Sequence, residues 1–303
     1  MTVKSQVLVI TGSSGFVGQK LANTANSIGF KVVGIDIKCD PNNSWESHEV
    51  DISKNDFSDL IPKDSVVIHL ASISTDSACR NDPKLAIDIN YIGTLNTIKC
   101  ANQAGAKHLI FASSEWVYPE RTKITEQNEN DILSLEDLQS FYAITKLVGE
   151  SIVRTESIIP FTNLRFGIVY GPRQIPGSSL EALALKVHNN EDITVGSDLT
   201  ARRFIYIDDL IDGILKCAIL NTKEIPNKAV NLTGNKIISL REIIEVTNKL
   251  LGKKSQILTE SKSPSIRNPL NNYAKTLLKW DPITPLEAGI QYCLAEMTRY
   301  GKE

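Results

Sequence analysis

Cysteine is sparse and scattered. The five residues, Cys39, Cys79, Cys100, Cys217 and Cys293, are odd in number and contain no C-x-x-C pair, which argues against a disulfide framework or a thiolate zinc site and leaves buried thiols. Histidine is equally thin: His48, His69, His108 and His188 never fall at the i, i+4 spacing of a helical metal site, so no metal is expected. Charge is nearly balanced, at a formal −2, and no run of Lys or Arg occurs. That excludes a nucleic-acid or anionic-membrane partner, and any anionic ligand has to be held locally. No apolar stretch approaches the roughly 18 residues of a membrane span. The start, Met1 to Gln6, runs into an apolar strand without the features of a secretion signal. A cytoplasmic protein is expected.

What is present is an ordinary globular composition, 42% hydrophobic and 22% charged over 303 residues, enough for one large core and a smaller lobe. Short β-rich runs at 7–10, 31–35, 66–70 and 108–112 read as buried strands, with further strands at 161–166 and near 229–232. Helical stretches at 15–29, 83–104 and 140–157 lie between them. Alternation of this kind predicts a doubly wound α/β fold with a parallel sheet. Segments 172–201 and 236–303 break the alternation with prolines and glycines. The expected division is therefore a dinucleotide-binding domain of 1–171 plus about 202–235, and a discontinuous, mostly C-terminal lobe of 172–201 and 236–303.

Directly after the first strand stands Thr11-Gly12-Ser13-Ser14-Gly15-Phe16-Val17-Gly18. Gly12 permits a tight strand-to-helix turn, Gly15 lets backbone approach a pyrophosphate, and Gly18 allows close packing of helix on strand. The phosphates would sit at the helix N-terminus. Asp36 ends the second strand about 20 residues on, where a carboxylate accepts from adenosine ribose hydroxyls and repels a 2′-phosphate. NAD is favoured over NADP, with Lys38 as the opposing feature. Asp51, followed by Ile52, is a candidate for the adenine amino group or a solvated loop carboxylate.

A second signal is Tyr142 and Lys146, four apart on one face of a helical stretch. A phenol of pKa about 10 is a poor base at neutral pH, but a nearby ammonium lowers it, and Tyr142 could then take a proton from a hydroxyl that Ser114 also contacts.

The glycine motif, His69-Leu70-Ala71, Asn90 with Gly93-Thr94, Phe111-Ala112-Ser113-Ser114 leading to Val117-Tyr118, Tyr142 with Lys146, Leu164-Arg165-Phe166, Val169-Tyr170-Gly171-Pro172-Arg173, Arg202-Arg203-Phe204-Ile205-Tyr206-Ile207-Asp208-Asp209 and Leu277 to Pro282 run through most of the chain. Together they resemble the NAD-dependent epimerase/dehydratase family of extended short-chain dehydrogenases/reductases. The resemblance implies a Rossmann fold, NAD as cofactor, a nucleotide-diphosphate sugar as substrate, and a homodimer paired through the helices near 83–104 and 140–157. It makes Ser114, Tyr142 and Lys146 the catalytic residues. It adds Ser14, Phe16, Val17, Leu70, Ala71, Ser72, Asn90, Ala112 and Phe166 to the cofactor site. The expected substrate contacts are Ser74, Ser114, Glu115, Trp116, Arg173, Arg202 and Arg267, with Arg202 matching a diphosphate-binding arginine.

The family reaction opens with proton loss from a sugar hydroxyl, usually at C4, and hydride loss to NAD. Dehydratases and decarboxylases place a glutamate two residues before the tyrosine matched by Tyr118; here that position is Trp116 and the acid is Glu115. An indole cannot transfer a proton, so epimerisation is expected, with a dehydrogenase or keto-sugar reductase as alternative. A 4,6-dehydratase would need an insertion that restores Glu115 to the acidic position. A non-catalytic dinucleotide sensor is the remote alternative. Ile168 stands where sugar epimerases carry asparagine, and an apolar wall there suits a deoxygenated, acylated or amino-substituted sugar.

Overall fold

Short apolar runs seed the central sheet, and the computed structural model, which describes residues 6–220 and 228–299, shows how they assemble. In chain order the strands are β1 Val7–Thr11, β2 Lys31–Asp36, β3 Glu46–Glu49, β4 Val66–His69, β5 His108–Ser114, β6 Phe161–Phe166, β7 Ile168–Tyr170, β8 Ile193–Val195, β9 Ala201–Arg202, β10 Phe204–Tyr206, β11 Lys228–Leu232, β12 Ile238–Ser239 and β13 Ile257–Thr259. The helices are α1 Phe16–Ser27, α2 Asp76–Asn81, α3 Pro83–Ile87, α4 Thr94–Ala104, α5 Phe141–Glu156, α6 Ser179–His188, α7 Ile207–Ile219, α8 Leu240–Leu251, α9 Asn272–Leu277 and α10 Leu286–Arg299.

Seven strands form one parallel sheet in the order β11-β6-β5-β4-β1-β2-β3. This is a doubly wound α/β fold. The chain runs outward from β1 through β2 to β3, then returns to β1's other side at β4. A crevice therefore opens at the carboxyl ends of β1 and β4, the usual ligand position in such sheets. Successive strand residues point to opposite faces, so Leu8 and Ile10 join one core cluster and Val9 the other. The larger cluster runs on from the sheet into α6, α8 and α10 through Leu183, Ile243 and Leu294. It packs the C-terminal segments onto the sheet without a break.

The edge strand β3, Glu-Ser-His-Glu, contains no fully buried residue. The expected helix at 83–104 is interrupted: α3 and α4 are joined by a π-helical turn, Asp88–Gly93. Such turns displace a side chain from the regular helical surface and recur at functional sites. Here the displaced region carries Asn90. Cys79, Cys100, Cys217 and Cys293 are buried, Cys39 is half-buried, and all five are free thiols.

Candidate active site

The glycine turn after β1 is steric necessity. Gly12 has φ +74°, and a Cβ there would lie 2.6 Å from the Ala71 backbone nitrogen; one at Gly18 would lie 2.0 Å from the Gly12 carbonyl oxygen. Gly15 differs, since its Cβ would meet only the Gly12 oxygen, at 3.3 Å. Helix α1 starts there with neither a side-chain cap nor an acid in its first turn. By contrast α5, α6 and α8 are closed by Ser140, Ser178 and Ser239. The α1 amides thus remain free to receive an anion. Beside them the Asp36 carboxylate accepts from Ser14 N at 3.0 Å and from Lys38 N at 3.3 Å.

From this turn a cleft of about 990 Å³ runs across the carboxyl ends of the strands. Among the residues singled out from the sequence, Gly12, Ser14, Gly15, Phe16, Val17, Gly18, Asp36, Ile52, Leu70, Ala71, Ser72, Ala112 and Phe166 line it. So do Ser74, Ser114, Trp116, Tyr142, Lys146 and Arg173. Asp51, Asn90, Glu115, Arg202 and Arg267 are not in the lining. The Asp51 carboxylate turns back to Ser53 and Lys54, which hold it below the usual carboxylate range. Asn90 works behind the wall: its Oδ1 accepts from Ile73 N at 2.7 Å, and its Nδ2 donates to Ile73 O and Thr145 Oγ1. It fixes the cleft-lining Ile73 backbone to α5.

Helix α5 carries Tyr142 and Lys146 to the cleft floor. The Ser140 hydroxyl and the Tyr142 amide both donate to Asp76 Oδ1, tying the helix start to α2. Lys146 Nζ donates to the Ala112 carbonyl at 2.9 Å and lies 5.7 Å from the centre of the Tyr142 ring. Burial pushes the Tyr142 phenol up to about 12, opposed by its hydrogen bond with Ser114. Burial also brings the Lys146 ammonium down to about 8. His69, at the end of β4, bonds Thr11 and Thr94 through its two ring nitrogens, and burial lowers its pKa to about 3, so it is neutral and structural.

Behind Trp116 sits a charged cluster. Glu115 is fully buried with Oε1 3.5 Å from Arg202 Nε, and neither of its oxygens accepts a hydrogen bond. Burial raises its pKa to about 7 against the pull of Arg202, Arg267 and Arg203. The partly exposed Glu120 joins Arg202 Nη2 at 3.1 Å and Arg267 Nη2 at 3.0 Å. The Arg267 guanidinium lies 4.7 Å over the Trp116 ring, and the Trp116 ring meets Tyr142 edge-on at 6.0 Å.

Several lining residues went unrecognised in the sequence, among them Ile73, Thr75, Asp76, Gly167, Gly177 and Ser179. Only the stretch at the start of α6 carried a readable signal, the capping box of Ser178 with Glu181. Among the described residues no three His, Cys, Asp or Glu side chains gather as a metal site, and no helix is long and apolar enough to cross a membrane.

Compared with known families, residues 8–232 match the NAD dependent epimerase/dehydratase family. The chain belongs to this family. Among its relatives, a UDP-glucuronate 4-epimerase of Thermodesulfobacterium geofontis is 27% identical over 309 residues, covering 93% of each chain. An uncharacterized UDP-glucose epimerase of Bacillus subtilis is 29% identical over 311 residues, covering 93% of this chain and 95% of that one. Among solved structures, a UDP-glucuronic acid 4-epimerase of Bacillus cereus, in complex with UDP-glucuronic acid and NAD, superposes with a TM-score of 0.83 at 26% identity. It covers 97% of this chain and 99% of that chain.

Proposed function

We propose that the chain is an NAD-dependent UDP-sugar 4-epimerase that works through a transient keto-sugar. The observation that carries this reading is the sharing of one cleft by the uncapped α1 terminus and Asp36 at one end and Ser114, Tyr142 and Lys146 at the other. Its dinucleotide end fits NAD: free helix amides for the pyrophosphate, room above Gly15, and a carboxylate for the ribose hydroxyls. Asp36 disfavours a 2′-phosphate. When bound, NAD would supply a hydride acceptor and donor and a positive ring beside the phenol.

Tyr142 takes the C4 hydroxyl proton, and Ser114 holds the same oxygen. Lys146 favours the phenolate by its charge. Trp116 lines the cleft where elimination chemistry needs an acid, while Glu115 stands behind it. That arrangement favours hydride return over dehydration. Arg202 and Arg267 hold the diphosphate, which displaces the partly exposed Glu120 from them.

For the described residues the division proposed is a Rossmann part within 1–171 and 202–235 and a substrate lobe within 172–201 and 236–303. A homodimer through α3, α4 and α5 accords with the exposed Leu85, Ile87, Tyr91 and Ile92. Incubating the protein with UDP-sugars and NAD, with products read by proton NMR and NADH by absorbance, tests the function. A new epimer without net NADH supports it; stoichiometric NADH makes the protein a dehydrogenase.

A further inference from the structure

A sugar held with its C4 hydroxyl on Tyr142 and Ser114 carries its C5 substituent one ring bond away. A charge on that substituent has to be met by the walls around Tyr142 or left unpaired in a cleft. Those walls include Trp116, edge-on to Tyr142, and the apolar side chains of Ile73, Ile168 and Val169 in the same lining.

The cations among the lining residues are Lys38, Lys146 and Arg173. Each is committed or distant. Lys146 is turned to the Ala112 carbonyl beneath the phenol. Arg173 is paired with Glu181 and lies 4.0 Å over the Phe16 ring, at the start of α1. Lys38 belongs to the Asp36 end. Three further arginines, Arg202, Arg267 and Arg203, act on the buried Glu115. Arg203 is bonded to Asn268 and the Gly234 carbonyl. Arg202 and Arg267 face Glu120, and Arg202 also faces Glu115, which directly follows Ser114. A bound diphosphate would replace Glu120 and bring more negative charge than that substituted. Arg202 and Arg267 are then committed to the diphosphate.

We infer that the substrate sugar is uncharged at its C5 substituent, a hydroxymethyl or methyl, and that Trp116 and Glu115 together exclude a uronate. Trp116 offers the carboxylate an aromatic face and no cation, and Glu115 competes with it for Arg202. This rests on the epimerase reading and departs from the relatives named for UDP-glucuronate.

The test titrates the NAD-loaded protein with UDP-glucose and with UDP-glucuronate by calorimetry, and follows epimerisation of each in parallel. UDP-glucose binds at least roughly tenfold tighter, as expected when a carboxylate has to be desolvated against an apolar wall. Equal or tighter binding of UDP-glucuronate overturns the inference and leaves the epimerase reading standing. A clear preference for UDP-glucose with stoichiometric NADH and no epimer supports the substrate class and removes the epimerase reading. The doubly substituted Glu115→Gln, Trp116→Ser protein, checked for folding by circular dichroism, should narrow the ratio several-fold. An undiminished ratio in the folded double variant overturns the assignment of selectivity to these two residues.

Discussion

Glu115 Oε1 lies 3.5 Å from Arg202 Nε, inside the protein, without a hydrogen bond to either carboxylate oxygen. An ion pair held this loosely recovers little of the desolvation cost of its charges. The group therefore keeps its proton longer than usual, with a pKa raised from 4.5 to about 7.

Stability should reflect this. Between those two pKa values the folded state binds more protons than the unfolded state, so stability falls as pH rises, and the cost is fully present above about 7. Glu115→Gln does not titrate. Its stability relative to wild type should rise by up to about 3 kcal/mol across that window, measured by urea unfolding at about pH 5 and about pH 8. A difference independent of pH would show that Glu115 titrates normally.

Lys146 gives the opposite sign. Burial lowers its pKa from 10.5 to about 8, so the cost of its buried charge is fully present below about pH 8 and is relieved as pH rises toward the unfolded value. Lys146→Met should lose at least about a hundredfold in turnover. It should nevertheless melt above wild type at neutral pH, less the loss of the bond to the Ala112 carbonyl. A lower melting temperature at neutral pH would contradict the burial argument.

Arg165 and Glu150 are different in kind: a bidentate pair, 2.8 Å at both contacts, with Tyr118 and Ser113 bonded into it. It ties α5 to the ends of β5 and β6, and so sets the height of Tyr142 over the sheet. Glu150→Ala leaves a buried guanidinium unpaired and should cost about 3–5 kcal/mol in denaturant unfolding. A cost below about 1 kcal/mol would mean that water replaces the lost partner.

These cases also mark what was legible in the sequence. The strands of the doubly wound sheet were readable from apolar runs such as Val66-Val67-Ile68, because a strand buried on both faces must be apolar throughout. The edge strand Glu46–Glu49 has no such run, and its only trace was the loop position of Asp51. Gly12, Asp36, Tyr142 and Lys146 were legible because their spacing is set locally, by one turn or one helix. Glu150 was not, since its partner Arg165 is on another element and only the folded chain brings them together. Asn90 was legible as a cofactor-site residue, but the π-turn that aims it at Ile73 behind the wall leaves no mark in the residue pattern.

The central claim is that a hydride leaves C4 of the sugar and returns to the same carbon while Tyr142 handles the proton. The direct measurement uses a UDP-sugar deuterated at C4 and analyses the recovered epimer by NMR and mass spectrometry. The account predicts that the epimer retains its deuterium at C4 and that Tyr142→Phe forms no epimer. Deuterium lost to water, or found in released NADH, would contradict it.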